Sequence, residues 1–297
     1  MSAGKAARRY LNAAEIEMGE HSSSFGRRMS DAQVRSVLDA LACRAGLPDL
    51  RRLNKLVQGY VRTVPWESAS RIVKRRNTTL TTDCPRWPAE FWTDALTRGA
   101  GGTCFESNYA FFVLLKALGY EGYLTINDMG MTVGCHTAIV INLHGAKYLV
   151  DVGLPVYGVL PIKAGAMTRH RSCFHIYTAR PDGSGRYQIE RSRHPQKNMF
   201  TFVDLPVKRD EYELAVANDY GEKGYFLDRV IITKVVKDTI WRFNGGELPY
   251  RLEGFDRRGK REIPLPPSGV ADEVARHFGL DKRMVATALS FATPAGV

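Results

Sequence analysis

The 297-residue sequence has few cysteines and no long apolar segment. Its five cysteines are odd in number and widely spaced, without a Cys-x-x-Cys pair, which disfavours a disulfide framework and a structural zinc site. The apolar run Ala110–Leu115 is far shorter than the roughly 20 residues of a membrane-spanning helix. No apolar stretch follows the N-terminal cations Lys5, Arg8 and Arg9, so we expect no secretory signal and a cytoplasmic protein.

Acidic residues are scarce relative to basic ones. The chain has 42 Lys and Arg against 31 Asp and Glu, a net charge of +11 that favours anionic partners such as a phosphate-bearing cofactor. The cations are scattered, and the densest run, Lys74-Arg75-Arg76, is too short for a basic interaction tail. A solvated basic surface explains this pattern most simply. We therefore expect no nucleic-acid partner and no membrane partner.

The hydrophobic pattern changes near residue 120. Before it, helical periodicity predicts helices over 31–44 and 50–61, the second ended by Pro65. After it, a period near two predicts short strands, and such a succession indicates an antiparallel barrel or sandwich. The predicted strands cover 138–143, 147–152, 186–190, 199–203 and 229–236. A last helix is expected over about 269–278, with a frayed tail after Leu289.

A glycine-rich turn at residues 99–103 leads into a strongly apolar helix. Thr103 and Glu106 have capping-box spacing, which places Cys104 first in that helix. The dipole and free N–H groups of a helix N-terminus lower the pKa of a thiol and could hold an oxyanion. The alternatives are an inert buried cysteine and a nucleotide-binding loop. The second lacks both a glycine at position 104 and a Walker lysine.

Two strand-like runs flank His144-Gly145, a pair typical of a two-residue hairpin turn. With that turn, paired residue numbers sum to 289, so Asp151 faces Ala138 and lies diagonally from His136 on one face. An imidazole held by a carboxylate is the base that a cysteine nucleophile needs. The alternative is a strand-end histidine and a turn aspartate that never meet the thiol.

Other polar residues suggest a metal site only weakly. Cys135 precedes His136, but neighbours on a strand point to opposite faces and no further ligand follows at a suitable spacing. His170, Cys173 and His175 fit no standard zinc pattern, and a surface loop is the simpler interpretation. We therefore expect no metal.

The segments around these three residues resemble a known enzyme family. Gly101-Gly102-Thr103-Cys104-Phe105-Glu106-x-Asn108 is similar to the Arg-Gly-Gly-x-Cys-Phe/Tyr-Glu-x-Asn motif of the arylamine N-acetyltransferases. His136 with its apolar strand, and Tyr148-Leu149-Val150-Asp151-Val152-Gly153, resemble the family's His and Asp segments. Val64-Pro65-Trp66-Glu67-Ser68 is similar to the family's Val-Pro-Phe-Glu-Asn. The resemblance extends over about residues 10–280.

The resemblance implies an α+β fold with an N-terminal helical bundle, a central antiparallel β-barrel and a C-terminal α/β lid around a thiol-protease-like Cys-His-Asp core. We expect a helical domain over 1–119 that carries the nucleophile, a barrel domain over 120–225 that carries the His and Asp, and a lid domain over 226–297. The composition shifts along the chain agree roughly with these boundaries.

The resemblance also implies acetyl-CoA-dependent N-acetylation of a small aromatic amine or hydrazine. In this ping-pong chemistry Cys104 carries the acetyl group as a thioester, His136 is the base and Asp151 orients it. The same resemblance suggests that Trp66, Phe105 and Leu154 contact the acceptor and that Thr132 and Gly134 contact coenzyme A. It does not indicate an oligomeric state.

The sequence departs from the family pattern at several positions. Ala100 stands where the family has an Arg before Gly-Gly, and Leu154-Pro155 replaces Phe-Gly after the Asp segment. These changes keep other acyl transfers open: an amide synthase with a longer or carrier-bound acyl donor, or a hydrolase or transglutaminase-like enzyme. A basic binding protein with a structural Cys104 is the non-enzymatic alternative.

Overall fold

The computed structural model describes residues 29–222, 224–266 and 268–292. The N-terminal cations Lys5, Arg8 and Arg9 lie outside the described residues, as does most of the tail for which fraying was predicted. The helices of the described chain are α1 (Asp31–Ala40), α2 (Leu50–Thr63), α3 (Ala69–Arg76), α4 (Pro88–Arg98), α5 (Cys104–Ala117), α6 (Arg209–Asp219), α7 (Val270–Phe278) and α8 (Lys282–Phe291). None of these described helices is long and apolar enough to cross a membrane.

The first two helices begin where their capping residues predict. The Ser30 side chain accepts a hydrogen bond from the backbone of Gln33, and the Asp49 side chain accepts one from Arg52. Helix α1 ends four residues before the predicted end, because the chain turns at Ala42, which has a φ of 52°. Helix α2 extends two residues beyond its prediction and ends before Pro65.

Eight antiparallel strands form a nearly closed, barrel-like sheet in the order β5-β4-β3-β2-β9-β8-β7-β6. Its two edge strands, β5 and β6, lie next to each other. The strands are β2 (Glu121–Met129), β3 (Thr132–Leu143), β4 (Ala146–Val150), β5 (Leu160–Ile162), β6 (Thr168–Arg171), β7 (Ile176–Pro181), β8 (Arg186–Arg191) and β9 (Asn198–Val203). The predicted antiparallel barrel is confirmed, and the buried helix α5 packs against β2 and β3.

A second sheet has the order β1-β10-β11-β12-β13 and packs with α3, α7 and α8 around its own apolar core. Its strands are β1 (Trp66–Glu67), β10 (Ile231–Val236), β11 (Thr239–Asn244), β12 (Arg251–Asp256) and β13 (Gly259–Pro264). Because β1 comes from the N-terminal part of the chain, this sheet links the helical region to the C-terminal one. The domain boundaries after residues 119 and 225 stay a prediction.

Several elements were not predicted from the sequence. Helix α6 is a helix of low amphipathicity, α8 follows only two residues after the Gly279 cap, and strands β11–β13 are short and broken by turns. The predicted fraying after Leu289 is wrong for the described residues, because α8 continues to Phe291.

Candidate active site

Cys104 is the first residue of α5, as the sequence predicts, and its side chain is half-buried. The turn before it is packed closely against the start of β1. A Cβ on Gly101 would lie 1.7 Å from the Pro65 carbonyl oxygen, and the Gly101 N–H donates to the Glu67 carboxylate at 3.0 Å. Only a glycine at position 101 permits this close contact with the Pro65 carbonyl. The contact fixes the turn that leads into α5 and so positions the thiol of Cys104.

The predicted capping box at this helix is wrong. Thr103 is the N-cap residue, but its Oγ1 is buried and has no hydrogen-bond partner among the described residues. The Glu106 carboxylate instead accepts hydrogen bonds from the backbone N–H of Arg86 (2.8 Å), its guanidinium (2.7 Å) and the Tyr220 hydroxyl (2.6 Å). A charge-assisted pair with a guanidinium is stronger than a bond to a backbone N–H, so Glu106 turns away from the cap.

Arg86 is a residue beside the site that sequence reasoning missed. Its guanidinium is buried and also donates to the Gly101 carbonyl at 2.5 Å, while Asp94 lies 3.3 Å away. Burial by itself would lower the pKa of Arg86, but the carboxylate of Glu106 outweighs that effect and raises it. Burial would likewise raise the pKa of Glu106, and Arg86 reverses this. The sequence offered one signal for such a residue. Ala100 stands where the family motif has an arginine, so another part of the chain could supply the positive charge at this turn.

The predicted hairpin register is confirmed. Ile139 pairs with Val150 and Leu143 with Ala146, and the two turn residues have φ values of 50° and 76°, as a two-residue hairpin turn requires. This register places His136 Nε2 at 2.8 Å from Asp151 Oδ2. Both side chains are buried. The sequence therefore correctly placed these two residues together.

The other oxygen of Asp151 is fully occupied by donors. Oδ1 accepts hydrogen bonds from Asn108 Nδ2 (3.0 Å) and from the backbone N–H groups of Gly153 and Leu154 (both 2.9 Å). Asn108 stands one helical turn after Cys104, and its Oδ1 accepts from the Val152 N–H at 3.0 Å. Asn108 therefore joins the nucleophile helix to the Asp151 loop, and the carboxylate has little freedom to rotate.

The His136 imidazole contacts both the carboxylate and the thiol. Burial alone would lower the pKa of His136, but Asp151 and the Cys104 side chain together raise it to about 10. Because Nε2 faces Asp151, Nδ1 is the nitrogen left for Cys104. The sulfur also lies 3.8 Å from the Cys135 carbonyl oxygen, and the imidazole ring rests against Phe200 at 4.6 Å. This arrangement can hold an imidazolium between the Asp151 carboxylate and the Cys104 side chain.

The three residues expected near the acceptor lie in different surroundings. Trp66 is half-buried, packs edge-on against Phe226 at 4.9 Å, and lines a small cavity with Val152 and Pro155. Leu154 is also half-buried, in the loop that holds Asp151. Phe105 is only 1% exposed and packs in the core between α5 and α6, so its side chain presents no surface to an acceptor in this structure.

The two residues expected near coenzyme A lie at the start of β3. Thr132 is exposed, and its Oγ1 accepts a hydrogen bond from the Tyr225 hydroxyl at 3.3 Å. Gly134 has a φ of 72° and donates its N–H to Asp128 at 2.9 Å. Both are close in sequence to His136, on the strand that carries it. Among the described residues, no group of three His, Cys, Asp or Glu side chains has the arrangement of a metal site.

Sequence comparison identifies the family, and structure comparison shows the same fold in known members. The sequence profile of the family described as N-acetyltransferase matches residues 49–280. No curated protein sequence matches the chain. The fold is similar to that of the Mycobacterium marinum arylamine N-acetyltransferase (TM-score 0.74, 17% identity, 88% of this chain and 100% of that chain covered), which has also been solved in complex with CoA.

Two further solved structures share the fold. The arylamine N-acetyltransferase from M. tuberculosis has a TM-score of 0.71 at 18% identity, with 89% of this chain and 96% of that chain covered. The Bacillus cereus arylamine N-acetyltransferase NAT3, described as having a unique Cys-His-Glu catalytic triad, has a TM-score of 0.70 at 17% identity, with 85% and 100% covered. With the profile match spanning most of the chain, this protein belongs to the arylamine N-acetyltransferase family and is an acyltransferase.

Proposed function

We propose that this protein transfers an acetyl group from acetyl-CoA to an aromatic amine or hydrazine through an acetyl-Cys104 thioester. The observation that carries the proposal is the position of Cys104 at the N-terminus of α5, with His136 beside it and Asp151 2.8 Å from the imidazole. The thiolate is the attacking form of a cysteine, and His136 is placed to accept the proton of Cys104.

The first half-reaction loads the enzyme. The proton of Cys104 moves to His136, and the thiolate attacks the thioester carbonyl of the donor. The backbone N–H groups of the first turn of α5 would stabilise the oxyanion. The carbon–sulfur bond to the coenzyme then breaks, the proton moves from His136 to the departing thiolate, and an acetyl group stays on Cys104.

The second half-reaction transfers the acetyl group from Cys104 to the amine. The amine nitrogen attacks the acetyl-Cys104 carbonyl while neutral His136 accepts one of its protons. The Cys104 thiolate departs beside the newly formed imidazolium, which restores the starting pair. Asp151 keeps its carboxylate on Nε2 throughout, so that Nδ1 faces the reacting atoms and the imidazolium is stabilised.

Donor and acceptor contacts are part of the proposal. The CoA complex of the M. marinum relative supports a coenzyme A donor, and the net charge of +11 suits its phosphates. We assign Thr132 and Gly134 to the donor side, because they share β3 with His136. Trp66 and Leu154 are assigned to the acceptor side, because both are half-buried: Trp66 lines a small cavity with Val152 and Pro155, and Leu154 belongs to the loop that holds Asp151. Phe105 would act through the packing of α5.

The test is intact-mass spectrometry after mixing the full chain with acetyl-CoA alone, followed by peptide mapping. We expect one acetyl group on Cys104 that an aromatic amine or hydrazine discharges. Cys104→Ala should not be labelled, whereas Cys173→Ala, which removes an exposed thiol, should label normally. A Cys104 that alkylates rapidly but takes no acetyl group would refute the acetyl-CoA donor and favour a longer or carrier-bound acyl donor.

A further inference from the structure

A basic cleft of about 520 Å³ lies between the end of α2, the β10–β11 hairpin and the end of α7. None of the residues assigned to acyl transfer lines it. Its lining includes the positively charged side chains of Arg62, Lys234, Lys237 and Arg276, and also His277. Asp238 is the single acidic residue among those that line it. The proposed acyl-transfer mechanism does not use this cleft.

Lys234 is half-buried there and has no carboxylate partner among the described residues. Its Nζ donates to the Phe278 carbonyl at 2.8 Å, and no acidic side chain pairs with it among the described residues. Burial lowers the pKa of Lys234, and no neighbouring acid opposes that shift. An ammonium group has three donors, so two are left for a ligand. Partial burial of a cation without a counter-ion is unfavourable, and a bound anion would offset that cost.

The remaining charges of the cleft leave an excess of positive charge. Arg62 is paired with Asp238 at 3.2 Å, and Arg276 is paired with Glu273 on its own helix. Lys237 has no ion pair among the described residues, and it lines the cleft from the two-residue turn between β10 and β11. Two ammonium groups, from Lys234 and Lys237, are therefore available to one ligand.

His277 adds a polar atom without a partner. Its Nε2 is buried and has no hydrogen-bond partner within the described chain, and its ring lies edge-on to Trp241 at 4.6 Å. Burial, reinforced by Arg276, lowers the pKa of His277. Because His277 lines the cleft, an anion bound there would favour the protonated imidazole and oppose this lowering of its pKa. The cleft thus combines two unpaired cations with a buried ring nitrogen that lacks a partner.

We propose that this cleft is a second binding site, distinct from the acyl-transfer centre, for a small anion bearing phosphate groups. Phosphate oxygens accept several charge-assisted hydrogen bonds at once, and lysine ammonium groups are common partners for them. Two available cations match two negative charges, as on a phosphate monoester or a pyrophosphate. The phosphate can belong to a free metabolite or to the phosphate end of coenzyme A.

The alternative role for Lys234 is structural, because Phe278 closes α7 and a lysine there can cap the helix C-terminus. Lys237 distinguishes anion binding from helix capping, because it is exposed and lies at no helix end. The experiment is isothermal titration calorimetry of the full chain with pyrophosphate and inorganic phosphate at constant ionic strength. The variants are Lys234→Met, Lys237→Ala and the control Lys163→Ala, an exposed lysine in the β5–β6 turn.

We expect saturable pyrophosphate binding that weakens about tenfold or more in Lys234→Met and in Lys237→Ala and is unchanged in Lys163→Ala. Absence of saturable binding, or equal affinity in Lys237→Ala and the unmodified chain, would overturn the proposal even if Lys234→Met does not fold. Repeating the titration in Cys104→Ala makes the result independent of acetyl transfer. Loss of pyrophosphate binding in the presence of coenzyme A would assign the site to the donor's phosphates, and retention would assign it to a free metabolite.

Discussion

Gly153 lies directly against Cys104. A Cβ at position 153 would come within 2.4 Å of the Cys104 Cα and within 2.7 Å of Asn108 Nδ2. Real Cβ atoms do not approach other atoms so closely, so only glycine permits this contact. It allows the loop that carries Asp151 to rest on the first turn of α5, and it thereby sets the distance between the thiol and the His136–Asp151 pair.

Gly153→Ala should therefore impair acyl transfer more than it impairs folding. The methyl group must push the Asp151 loop away from α5, and a displacement of about 1 Å in such a site can cost about 100-fold in rate. Steady-state acetylation and the free energy of unfolding should be measured together. Gly46→Ala is the matched control, because a Cβ there meets nothing closer than 4.0 Å. Near-normal turnover in Gly153→Ala would show that the contact does not position the thiol.

Asp151→Asn should lower kcat/KM by about 10³- to 10⁴-fold. Three N–H donors hold Oδ1, so the new amide nitrogen would replace Oδ2 opposite His136. That NH₂ group would donate to Nε2, so the imidazole would carry its own proton on Nδ1. Nδ1 faces Cys104, and in this tautomer it cannot accept the proton of the thiol. Asp39→Asn, on the exposed face of α1, serves as the control. Unchanged turnover with the unfolding midpoint preserved would remove Asp151 from the mechanism.

The raised pKa of His136 predicts how stability depends on pH. In the folded protein this pKa is about 10, against an ordinary value near 6.5, because Asp151 and Cys104 outweigh burial. Between these two values the folded state binds more protons than the unfolded state, so the contribution is complete below about pH 6.5 and is lost as the pH rises through about 10.

Urea unfolding from pH 6.5 to 10 would measure this contribution as the difference between the unmodified protein and His136→Gln. We expect that difference to shrink as the pH rises. Cys104→Ala should weaken the dependence, since one of the two groups that raise the pKa is removed. A difference that stays constant with pH would contradict an imidazolium held between Cys104 and Asp151.

Arg86→Met should destabilise the fold by about 3–5 kcal/mol, because it leaves the Glu106 carboxylate buried without its cation. Adding Glu106→Met to this variant should recover part of the loss. Lys74→Met breaks the more exposed Lys74–Glu90 pair, and it should cost no more than about 1 kcal/mol. Chemical denaturation of these three variants and the unmodified protein tests this. If Arg86→Met costs no more than Lys74→Met, Arg86 does not hold the turn that carries Cys104.

The parts of the site that could be predicted are those set by neighbouring residues. The start of α5 at Cys104 follows from the glycine turn and the apolar run after it. The position of His136 opposite Asp151 follows from a two-residue turn and strict alternation along two strands. Both depend on backbone geometry within a few residues, which the local sequence largely specifies.

The parts that could not be predicted depend on residues distant in the chain. Glu106 has the spacing of a capping residue, but Arg86, 20 positions away, arrives through the tertiary fold and takes its carboxylate. Phe105 stands beside the nucleophile in sequence, yet α6 covers it. Strands β11–β13 are short, and their pairing is set by the sheet that β1 begins.

The sequence by itself determined the chemistry available to this protein: a thiol at a helix N-terminus, an imidazole and a carboxylate on one hairpin face, and an excess of positive charge. These follow from local hydrogen bonding and side-chain alternation. Only the tertiary structure decided that α5 meets the Asp151 loop at Gly153, that Arg86 neutralises Glu106, and that Lys234 is half-buried without a carboxylate among the described residues. Those outcomes depend on burial, which changes the energy of charges and is a property of the whole packed chain.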